Sequence, residues 1–196
     1  MICAGLLLAA GGGSRMAMAK ALVEDPGGGS FVERGVRVLR SGGCSPVVVV
    51  VGAQAERAKA LATAAGADLV VEAIDWASGQ SASLRCGIEA LETTGAELAC
   101  VLLVDLPDVG ADVVTAVLDA AGDGPATLGR AAYQGVPGHP VVIGRDHWSA
   151  IHDEVTGDSG ARDYLAAHPH ATVEVGHLAS GRDADTPDDL RTPPDR

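Results

Sequence analysis

Aromatic residues are scarce in this sequence. Two tryptophans, two tyrosines and one phenylalanine occur among 196 residues, whereas 47% of the residues are hydrophobic. The core must therefore be built from valine, leucine, isoleucine and alanine, which is typical of an α/β protein whose sheet is buried on both faces. A chain of this length buries a sizeable core as one domain. We assign residues 1–196 to a single domain and expect only about the last ten to fray.

Positive charge is also in short supply. Fourteen lysines and arginines face 26 acidic residues, which gives a net charge of −12 and a pI near 4.7. Nucleic-acid binding depends on neutralising phosphates with basic side chains, so this composition argues against a nucleic-acid partner. Most of the acidic residues are expected to form a solvated surface. A nucleotide bound to such a protein would need a divalent cation.

Paired cysteines and long apolar runs are absent as well, and we interpret the apolar residues 2–9 as a strand rather than a targeting segment. Cys3, Cys44, Cys86 and Cys100 form no Cys-x-x-Cys pair, so we interpret them as reduced thiols of a cytoplasmic protein. No apolar run approaches the roughly 18 residues that a membrane span needs. The six histidines show no spacing typical of a metal site, and no Gly-x-Ser-x-Gly elbow marks a serine nucleophile.

Short apolar runs alternate with helix-forming segments along the chain. Strands are predicted at 2–9, 46–51, 69–71, 100–104, 138–143 and 172–175. Helices are predicted after the Ser30/Glu33 capping box, at 54–65, after the small polar residues 77–83, after Asp108, and at 157–165. This order indicates a doubly wound α/β fold with right-handed crossovers. Ligands of such folds bind at the carboxyl ends of the strands.

A glycine-rich segment follows the first predicted strand. Gly11-Gly12-Gly13 lets backbone N–H groups converge on one point, while Arg15 and Lys20 supply positive charge. The segment matches neither the dinucleotide fingerprint nor the P-loop. From the residues alone it is either a cradle for a polyphosphate or an ordinary turn with solvated cations.

Carboxylates end a later strand and stand near the C-terminus. Asp105 directly follows the apolar run 100–104 and is predicted to lie near the glycine segment, where Mg²⁺ could bridge it to a phosphate. The alternative is an Asp that caps the next turn. Asp183 and Asp185 are candidates for a second ligand, since alternation places them on one side of an extended segment.

Six blocks of residues together resemble the MobA-like nucleotidyltransferases, and most closely their molybdenum cofactor cytidylyltransferase (MocA) branch. In chain order the blocks are Leu8-Ala9-Ala10-Gly11-x-x-Ser14-Arg15-Met16 with Lys20, Gly79-Gln80-Ser81-x-Ser83-Leu84-Arg85-x-Gly87, Val104-Asp105-x-Pro107, Gly138-His139-Pro140, Gly157-Asp158-x-Gly160-Ala161-Arg162, and Asp183-x-Asp185-Thr186-Pro187-x-Asp189-Leu190. The resemblance covers nearly the whole chain.

The resemblance implies a fold and a reaction. The fold is a Rossmann-like three-layer α/β/α sandwich with a mostly parallel sheet, of the nucleotide-diphospho-sugar transferase type. The reaction moves a nucleoside monophosphate from an NTP onto a phosphorylated acceptor, with Mg²⁺ as cofactor and release of pyrophosphate. Ala10 in the Ala-Ala-Gly opening favours CTP over GTP. The implied acceptor is a small molecule such as molybdenum cofactor, and the implied protein partner is a molybdenum hydroxylase apo-enzyme.

The resemblance also assigns site residues. Arg15, Lys20 and Asp105 are implied to be catalytic, and Asp105 and Asp185 to hold the metal. The implied acceptor-binding residues are Arg85, His139, Asp158 and Arg162. The implied nucleotide-binding residues are Leu8, Ala9, Ala10, Gly11, Gly12, Gly13, Ser14, Arg15, Lys20, Gly79, Ser81 and Ser83.

The chain departs from the family pattern at two positions. Ala17 and Ala19 stand where the family usually has glycine and proline, so we expect the loop to close differently. Three alternatives therefore stay open. Two are other transferases on this scaffold, a guanylyltransferase acting on phospholactate and a sugar-1-phosphate nucleotidyltransferase. The third is a non-catalytic nucleotide-binding or cofactor-binding chaperone.

Overall fold

A computed structural model describes residues 1–13, 16 and 18–190. Its strands are β1 (Cys3–Ala9), β2 (Val47–Val51), β3 (Leu69–Glu72), β4 (Leu98–Leu103), β5 (Leu128–Tyr133), β6 (Val136–Gly144) and β7 (Ala171–Glu174). Its helices are α1 (Phe31–Ser41), α2 (Ala55–Ala64), α3 (Gln80–Glu92), α4 (Ala111–Ala121), α5 (Trp148–Glu154) and α6 (Arg162–Ala167). None of the described helices is long and apolar enough to cross a membrane.

The strands form one sheet in the order β3-β2-β1-β4-β6-β5-β7. Only β6 runs antiparallel to its neighbours β4 and β5, and the other pairs are parallel. Alternating side chains of the buried strands feed two separate cores. Along β1, Leu7 and Ala9 face the core covered by α1, α2 and α4, whereas Leu6 and Leu8 face the core covered by α3, α5 and α6. The predicted three-layer α/β/α sandwich with a mostly parallel sheet is confirmed.

The capping box predicted from the sequence is present at the start of α1. The Glu33 carboxylate accepts a hydrogen bond from the Ser30 backbone N–H at 2.7 Å, and the Ser30 hydroxyl accepts one from the Glu33 N–H at 3.5 Å. The buried residues of α1, which include Phe31, Val32 and Leu39, then face the sheet. Residues 23–30 connect the glycine-rich segment to this helix, and the Phe31 N–H donates to the Val23 carbonyl at 2.9 Å.

The second half of the chain differs from the sequence prediction. Strand β5 and helix α5 were not predicted, and the helix predicted at 157–165 begins only at Arg162. Residues 157–161 instead form a loop, in which Gly157 and Gly160 adopt φ values of +61° and +53°. Positive φ interrupts a helix, and glycine adopts it without a steric penalty. We call residues 157–161 the 157–161 loop.

Candidate active site

The glycine-rich segment crosses the carboxyl end of β1 as the sequence predicts. Gly13 has a φ of +57°, and a Cβ added there would lie 2.2 Å from the Met18 carbonyl oxygen, so only glycine fits. The Lys20 N–H donates to the Gly11 carbonyl at 3.2 Å, which returns the chain towards its starting point. Ser14, Arg15 and Ala17 lie outside the described residues.

Ala19 keeps the backbone shape that the family's proline would impose. Its φ and ψ are −56° and 131°, and proline fixes φ near −65°. The residue is 1% exposed and leads directly into the short 3₁₀ turn Lys20–Leu22. Alanine at this position therefore adopts a φ close to the one that proline would fix.

A cavity of about 300 Å³ opens between the glycine-rich segment and the start of α3, and we call it the first chamber. Its lining includes Leu8, Ala10, Gly11, Gly12, Lys20, Gly79 and Ser83 from the predicted nucleotide-binding set. The remaining lining residues are Trp76, Ala77, Gln80, Leu103, Val104, Asp105 and Asp158. The Trp76 ring lies over the glycine-rich segment, since a Cβ on Gly12 would lie 3.0 Å from it.

Three predicted nucleotide-binding residues do not line this chamber. Ala9 is fully buried in the core beneath it, and Gly13 supports the turn from behind. Ser81 is 1% exposed, and its buried hydroxyl has no hydrogen-bond partner among the described residues. Its backbone N–H donates to the Gly157 carbonyl at 3.0 Å, so this residue ties α3 to the 157–161 loop.

That loop closes over the N-terminus of α3. The Asp158 carboxylate accepts a hydrogen bond from the Gln80 N–H at 3.3 Å, where the helix dipole favours an anion. Gly79, with a φ of +122°, permits the contact, because a Cβ there would lie 2.5 Å from the Gly157 carbonyl oxygen. Asp158 thus occupies one side of the chamber, in contact with the backbone of α3.

Lys20 and two carboxylates form the centre of the site. The Lys20 ammonium lies 2.5 Å from Asp105 Oδ2 and 2.6 Å from Asp185 Oδ1. Burial opposes the charge on Lys20, but the two carboxylates outweigh that effect and raise its pKa. Asp183 lies nearby, and desolvation together with the negative charges of Asp105 and Asp185 raises its pKa. Lys20 therefore stays cationic and is shared by the two acids.

Backbone contacts hold the late acidic segment in place. The Ala184 N–H donates to the Asp105 carbonyl at 2.9 Å, and the Ala184 side chain is 1% exposed in the core. Asp183 and Asp185 therefore point away from the core, and both line one cavity on the other side of Lys20, as alternation predicts. The Asp189 carboxylate accepts from the Asp185 and Thr186 N–H groups, which fixes the chain on the other side of Asp185.

The loop after Asp105 is held by Arg34 of α1. Its guanidinium donates to the Leu106 and Val109 carbonyls at 3.2 and 2.9 Å. Asp108 in the same loop accepts from the Ser180 N–H at 2.6 Å, which connects the loop to the late acidic segment. Sequence reasoning did not identify Arg34, because its place in α1 gives no sign of a contact with a loop more than 70 residues away.

A second chamber of about 760 Å³ lies on the other side of Lys20. The two chambers share five lining residues: Lys20, Gln80, Leu103, Asp105 and Asp158. The residues that line the second chamber but not the first include several charged or polar ones and a glycine: Arg130, Gly138, His139, Arg162, Asp183 and Asp185. The site therefore consists of two adjoining cavities that meet at one lysine and two carboxylates, Asp105 and Asp158.

The predicted acceptor-binding residues separate into two groups. His139, Asp158 and Arg162 line the second chamber, whereas Arg85 lines neither. The Arg85 guanidinium donates to the Val155 carbonyl at 2.8 Å and lies 3.7 Å from Asp75. It connects α3 to the end of α5, so the structure gives it a contact that supports the scaffold.

His139 lies on β6 in a strongly positive environment. Desolvation, together with the charges of Arg130 and Arg162, lowers its pKa to about 4. The imidazole is therefore neutral near pH 7, with one nitrogen that donates and one that accepts. The hydroxyl of Tyr133 donates to the His139 carbonyl at 2.5 Å and holds the backbone at this point.

Two carboxylates at the centre of the site, those of Asp105 and Asp185, could bind a divalent cation. Asp105 and Asp185 already converge on one cationic group, and carboxylate oxygens are the protein ligands that Mg²⁺ takes. No group of three or more His, Cys, Asp or Glu among the described residues forms a complete metal site. The donor set therefore fits an ion whose remaining ligands are phosphate oxygens and water.

The fold and this site define a class of protein. A largely parallel α/β sheet carries a glycine-rich turn after β1 and an aspartate after β4, at adjoining carboxyl ends, beside two connected chambers. This is the arrangement of a nucleotide-binding α/β protein with room for a second substrate. The chain belongs to the MobA-like NTP transferase domain family, whose model matches residues 5–173. The resemblance predicted from the six blocks is thereby confirmed.

Individual relatives extend over nearly the whole chain. A protein of Paenarthrobacter nicotinovorans named nicotine blue oxidoreductase is 32% identical over 191 residues, which covers 93% of this chain and 91% of the relative. A nucleotidyl transferase from Methanothermobacter thermautotroptrophicus superposes with a TM-score of 0.81 at 20% identity, covering 97% and 94% of the two chains. Rv0371c from Mycobacterium tuberculosis H37Rv superposes with a TM-score of 0.75 at 25% identity, covering 97% of each.

Trp76 and Arg130 are among the lining residues that sequence reasoning did not assign to the site. Trp76 lines the first chamber, and Arg130 lines the second. Trp76 is one of only two tryptophans and stands three residues before Gly79 of the Gly79-Gln80-Ser81 block, a signal that could have identified it. Arg130 lies in the unpredicted strand β5, so its place beside His139 follows only from the antiparallel pairing of β5 with β6.

Proposed function

We propose that this protein is a nucleotidyltransferase that moves a nucleoside monophosphate, preferably CMP from CTP, onto a phosphorylated acceptor. The observation that carries the proposal is the pair of chambers that meet at Lys20 and Asp105. A reaction between two bound substrates needs adjoining sites with the reacting atoms at the boundary. The nucleotide would occupy the first chamber and the acceptor the second.

The residues at the boundary suit a displacement at phosphorus. Backbone N–H groups of the glycine-rich segment and the Lys20 ammonium would bind the triphosphate, and Arg15 is assigned to the same anion by the family resemblance. An oxygen of the acceptor phosphate would attack the α-phosphorus in line with the departing pyrophosphate. The attacking oxygen is already anionic, so no general base is required, and positioning with charge stabilisation carries the catalysis.

Mg²⁺ is the proposed cofactor, with Asp105 and Asp185 as its protein ligands. Bound there, it would neutralise charge that develops on the phosphate oxygens during transfer. Lys20 holds the two carboxylates together in its absence, and its long side chain can turn towards phosphate when the carboxylates take another cation. The observation behind this assignment is that both acids already converge on one positive charge.

The first chamber supports a preference for a pyrimidine base. Ala10 is 3% exposed and lines the chamber at the end of β1, where its methyl group takes up room that glycine would leave free. Its Cβ would lie only 2.8 Å from a Cβ on Gly52, so the wall here is tight. Trp76 lines the same chamber and offers a flat surface on which a base can stack.

Molybdenum cofactor is the acceptor that we propose within this class, with a molybdenum hydroxylase apo-enzyme as the receiver of the product. Support comes from the family resemblance, and the size of the second chamber agrees with it. About 760 Å³ lies within the 300–1,000 Å³ typical of small-molecule sites.

A panel of nucleotides and acceptors tests the proposal. CTP, GTP, ATP and UTP are each incubated with Mg²⁺ and with molybdopterin-type, sugar-phosphate or phospholactate acceptors, and released pyrophosphate is measured. We expect release above background with CTP and a molybdopterin-type acceptor. Release with GTP and phospholactate would indicate the guanylyltransferase alternative, and release with a sugar phosphate would indicate the sugar-nucleotide alternative. A pure binding protein or chaperone releases none.

Nucleotide binding can be followed separately through the two tryptophans. Trp148 is 2% exposed in the core, whereas Trp76 lines the first chamber. Bound CTP should quench the fluorescence of Trp76, and Trp76→Phe should abolish the response while Trp148 provides a constant background. A wild-type titration without any change would place the base away from Trp76 and contradict the proposed position.

An oxidoreductase is the second candidate function. The relative from Paenarthrobacter nicotinovorans carries that activity in its name and is 32% identical over 93% of this chain. A nucleotide chamber next to a substrate chamber would also suit a bound dinucleotide and a reducible substrate. Consumption of a reduced nicotinamide dinucleotide with a quinone-type dye, without pyrophosphate release from any NTP, would favour this candidate over the transferase.

A further inference from the structure

Two arginines stand apart from the acidic centre of the site. Arg130 lies on β5 and Arg162 begins α6, and both line the second chamber. Neither guanidinium forms a hydrogen bond or an ion pair with any other residue in the part of the chain that the structure describes. The Arg130 Nε–H is buried without a hydrogen-bond acceptor. An unpaired buried donor of this kind is costly unless a ligand satisfies it.

In the second chamber, the charged groups that act on His139 differ from those that act on Asp183. The charged groups that act on His139 are Arg130 and Arg162, and no carboxylate is among them. Those that act on Asp183 are Asp105, Asp185 and Lys20, and no arginine is among them. His139 therefore responds to the two arginines and Asp183 to the lysine-carboxylate centre, and the Asp158 carboxylate also lines this cavity.

Strand pairing gives the distance across the sheet between Arg130 and the strand that leads to Asp105. Arg130 pairs with Val141 of β6, which pairs with Val101 of β4, two residues before that strand ends at Leu103. Neighbouring strands are about 4.8 Å apart, so Arg130 lies roughly 10 Å across the sheet from the strand that leads to Asp105. Arg130, Val141 and His139 line the cavity together, since alternate residues of β6 share a face.

We propose that Arg130 and Arg162 form a receptor for an anionic group, a carboxylate or a phosphate, at the end of the acceptor remote from its attacking oxygen. The inference rests on the proposed function, in which the attacking oxygen lies at the Lys20 and Asp105 boundary. It narrows the substrate class to acceptors that carry a second anionic group remote from the reacting phosphate. The pair of guanidiniums would bind that group through charge-assisted hydrogen bonds, with the neutral His139 imidazole as a further donor.

Direct observation of the arginine side chains tests this receptor. Protein labelled with ¹⁵N-arginine is titrated with inorganic phosphate at constant ionic strength, and the Nε–Hε signals are recorded by NMR. The Arg130 and Arg162 signals, assigned from Arg130→Lys and Arg162→Lys, should shift together with one dissociation constant. The signal of Arg57, an exposed residue of α2, should stay in place. Phosphate that leaves the first two signals unmoved would overturn the inference.

Three variants locate the binding more sharply. Arg162→Gln should weaken phosphate binding, read at Arg130, by about 10- to 100-fold, because one charged donor is lost. Arg162 is exposed, so this variant should fold normally. Arg57→Gln removes the same charge elsewhere and should change the constant less than twofold. Binding that is lost in Lys20→Gln but kept in Arg162→Gln would assign the anion to the lysine end and overturn the inference.

The readout separates this inference from the proposed function. Phosphate that moves both arginine signals, in a protein that releases no pyrophosphate from any NTP, would keep the anion receptor and reject the transferase. Pyrophosphate release with unmoved arginine signals would keep the transferase and reject the receptor.

Discussion

Replacing Lys20 with methionine should leave Asp105 and Asp185 without the cation that they share. Removal of one partner from a fully buried ion pair costs about 3–5 kcal/mol. The Lys20 and Asp105 side chains are 19% and 13% exposed, but Asp185 is 41% exposed, so solvent screens part of the repulsion. We therefore expect a loss of about 2 kcal/mol in the free energy of unfolding near pH 7, measured by urea denaturation.

The pH dependence of this loss follows from the raised pKa of Lys20. A cation whose pKa is higher in the folded state stabilises fully below its unfolded pKa and loses that effect only as the pH rises through the folded value. The wild-type contribution is therefore constant from about pH 5 to pH 8. In Lys20→Met the deficit should shrink as the pH falls towards 5, because the neighbouring Asp183, whose pKa is raised, takes up a proton.

Magnesium and a second lysine variant complete this experiment. Millimolar magnesium chloride should restore part of the lost stability in Lys20→Met, since a divalent ion can replace the ammonium between the two carboxylates. Lys59 is the only other lysine in the sequence and lies exposed on α2, so Lys59→Met is the matched control and should unfold like the wild type. Equal urea midpoints for the two variants would refute the idea that Lys20 holds the acidic centre together.

Three further predictions concern the scaffold around the site. Gly79→Ala should lower the free energy of unfolding by more than Gly66→Ala does. Both glycines have positive φ, but only a Cβ at Gly79 would meet the Gly157 carbonyl oxygen. The urea midpoints of the two variants measure the difference, and equal losses would contradict the close contact. The pKa of His139 is lowered to about 4, so the unfolded chain takes up a proton first as the pH falls below 6.5, and acid destabilises the protein. His139→Asn should reduce the loss of stability between about pH 7 and 5 by about 2 kcal/mol in urea titrations, and an unchanged loss would refute this cause. Ser30→Ala removes the side-chain cap of α1 and should cost about 1 kcal/mol by the same measurement, whereas no change would mean that the capping box does not stabilise the helix.

Elements with strong local signals were predictable from the sequence. The run Val47–Val51 is entirely β-branched and buried, and it is a central strand with parallel partners on both sides. The spacing of Ser30 and Glu33 predicts the start of α1 from a local capping signal, without any tertiary contact. Local propensity and tertiary packing agree in these segments, so the pattern alone was sufficient.

The elements missed are those whose form depends on distant partners. Strand β5 reads Leu-Gly-Arg-Ala-Ala-Tyr, a mixture without strict alternation, and is held by β6 and β7. The 157–161 loop has helix-forming neighbours, but its contacts with Gln80 and Ser81 of α3 determine its course. Both lie in the second half of the chain, where the antiparallel return of β6 breaks the regular alternation of strand and helix.

The candidate site divides in the same way. Sheet geometry predicts that Asp105 and the glycine-rich segment lie close together. Each follows one of two parallel strands, and the carboxyl ends of parallel strands share one edge of the sheet. The position of Lys20 between Asp105 and Asp185 could not be read from spacings of 85 and 165 residues. Arg130 was likewise hidden, because its neighbours in space come from β6 and α6.

Pyrophosphate release by Asp105→Ala is the most direct test of the proposed transferase. Wild-type protein with CTP, Mg²⁺ and a molybdopterin-type acceptor should release pyrophosphate, and Asp105→Ala should reduce the rate to background while the protein stays folded by circular dichroism. Asp119→Ala, which removes an exposed carboxylate from α4, should retain the wild-type rate. Wild-type turnover that survives in Asp105→Ala would contradict the assignment of the reaction to the boundary between the two chambers.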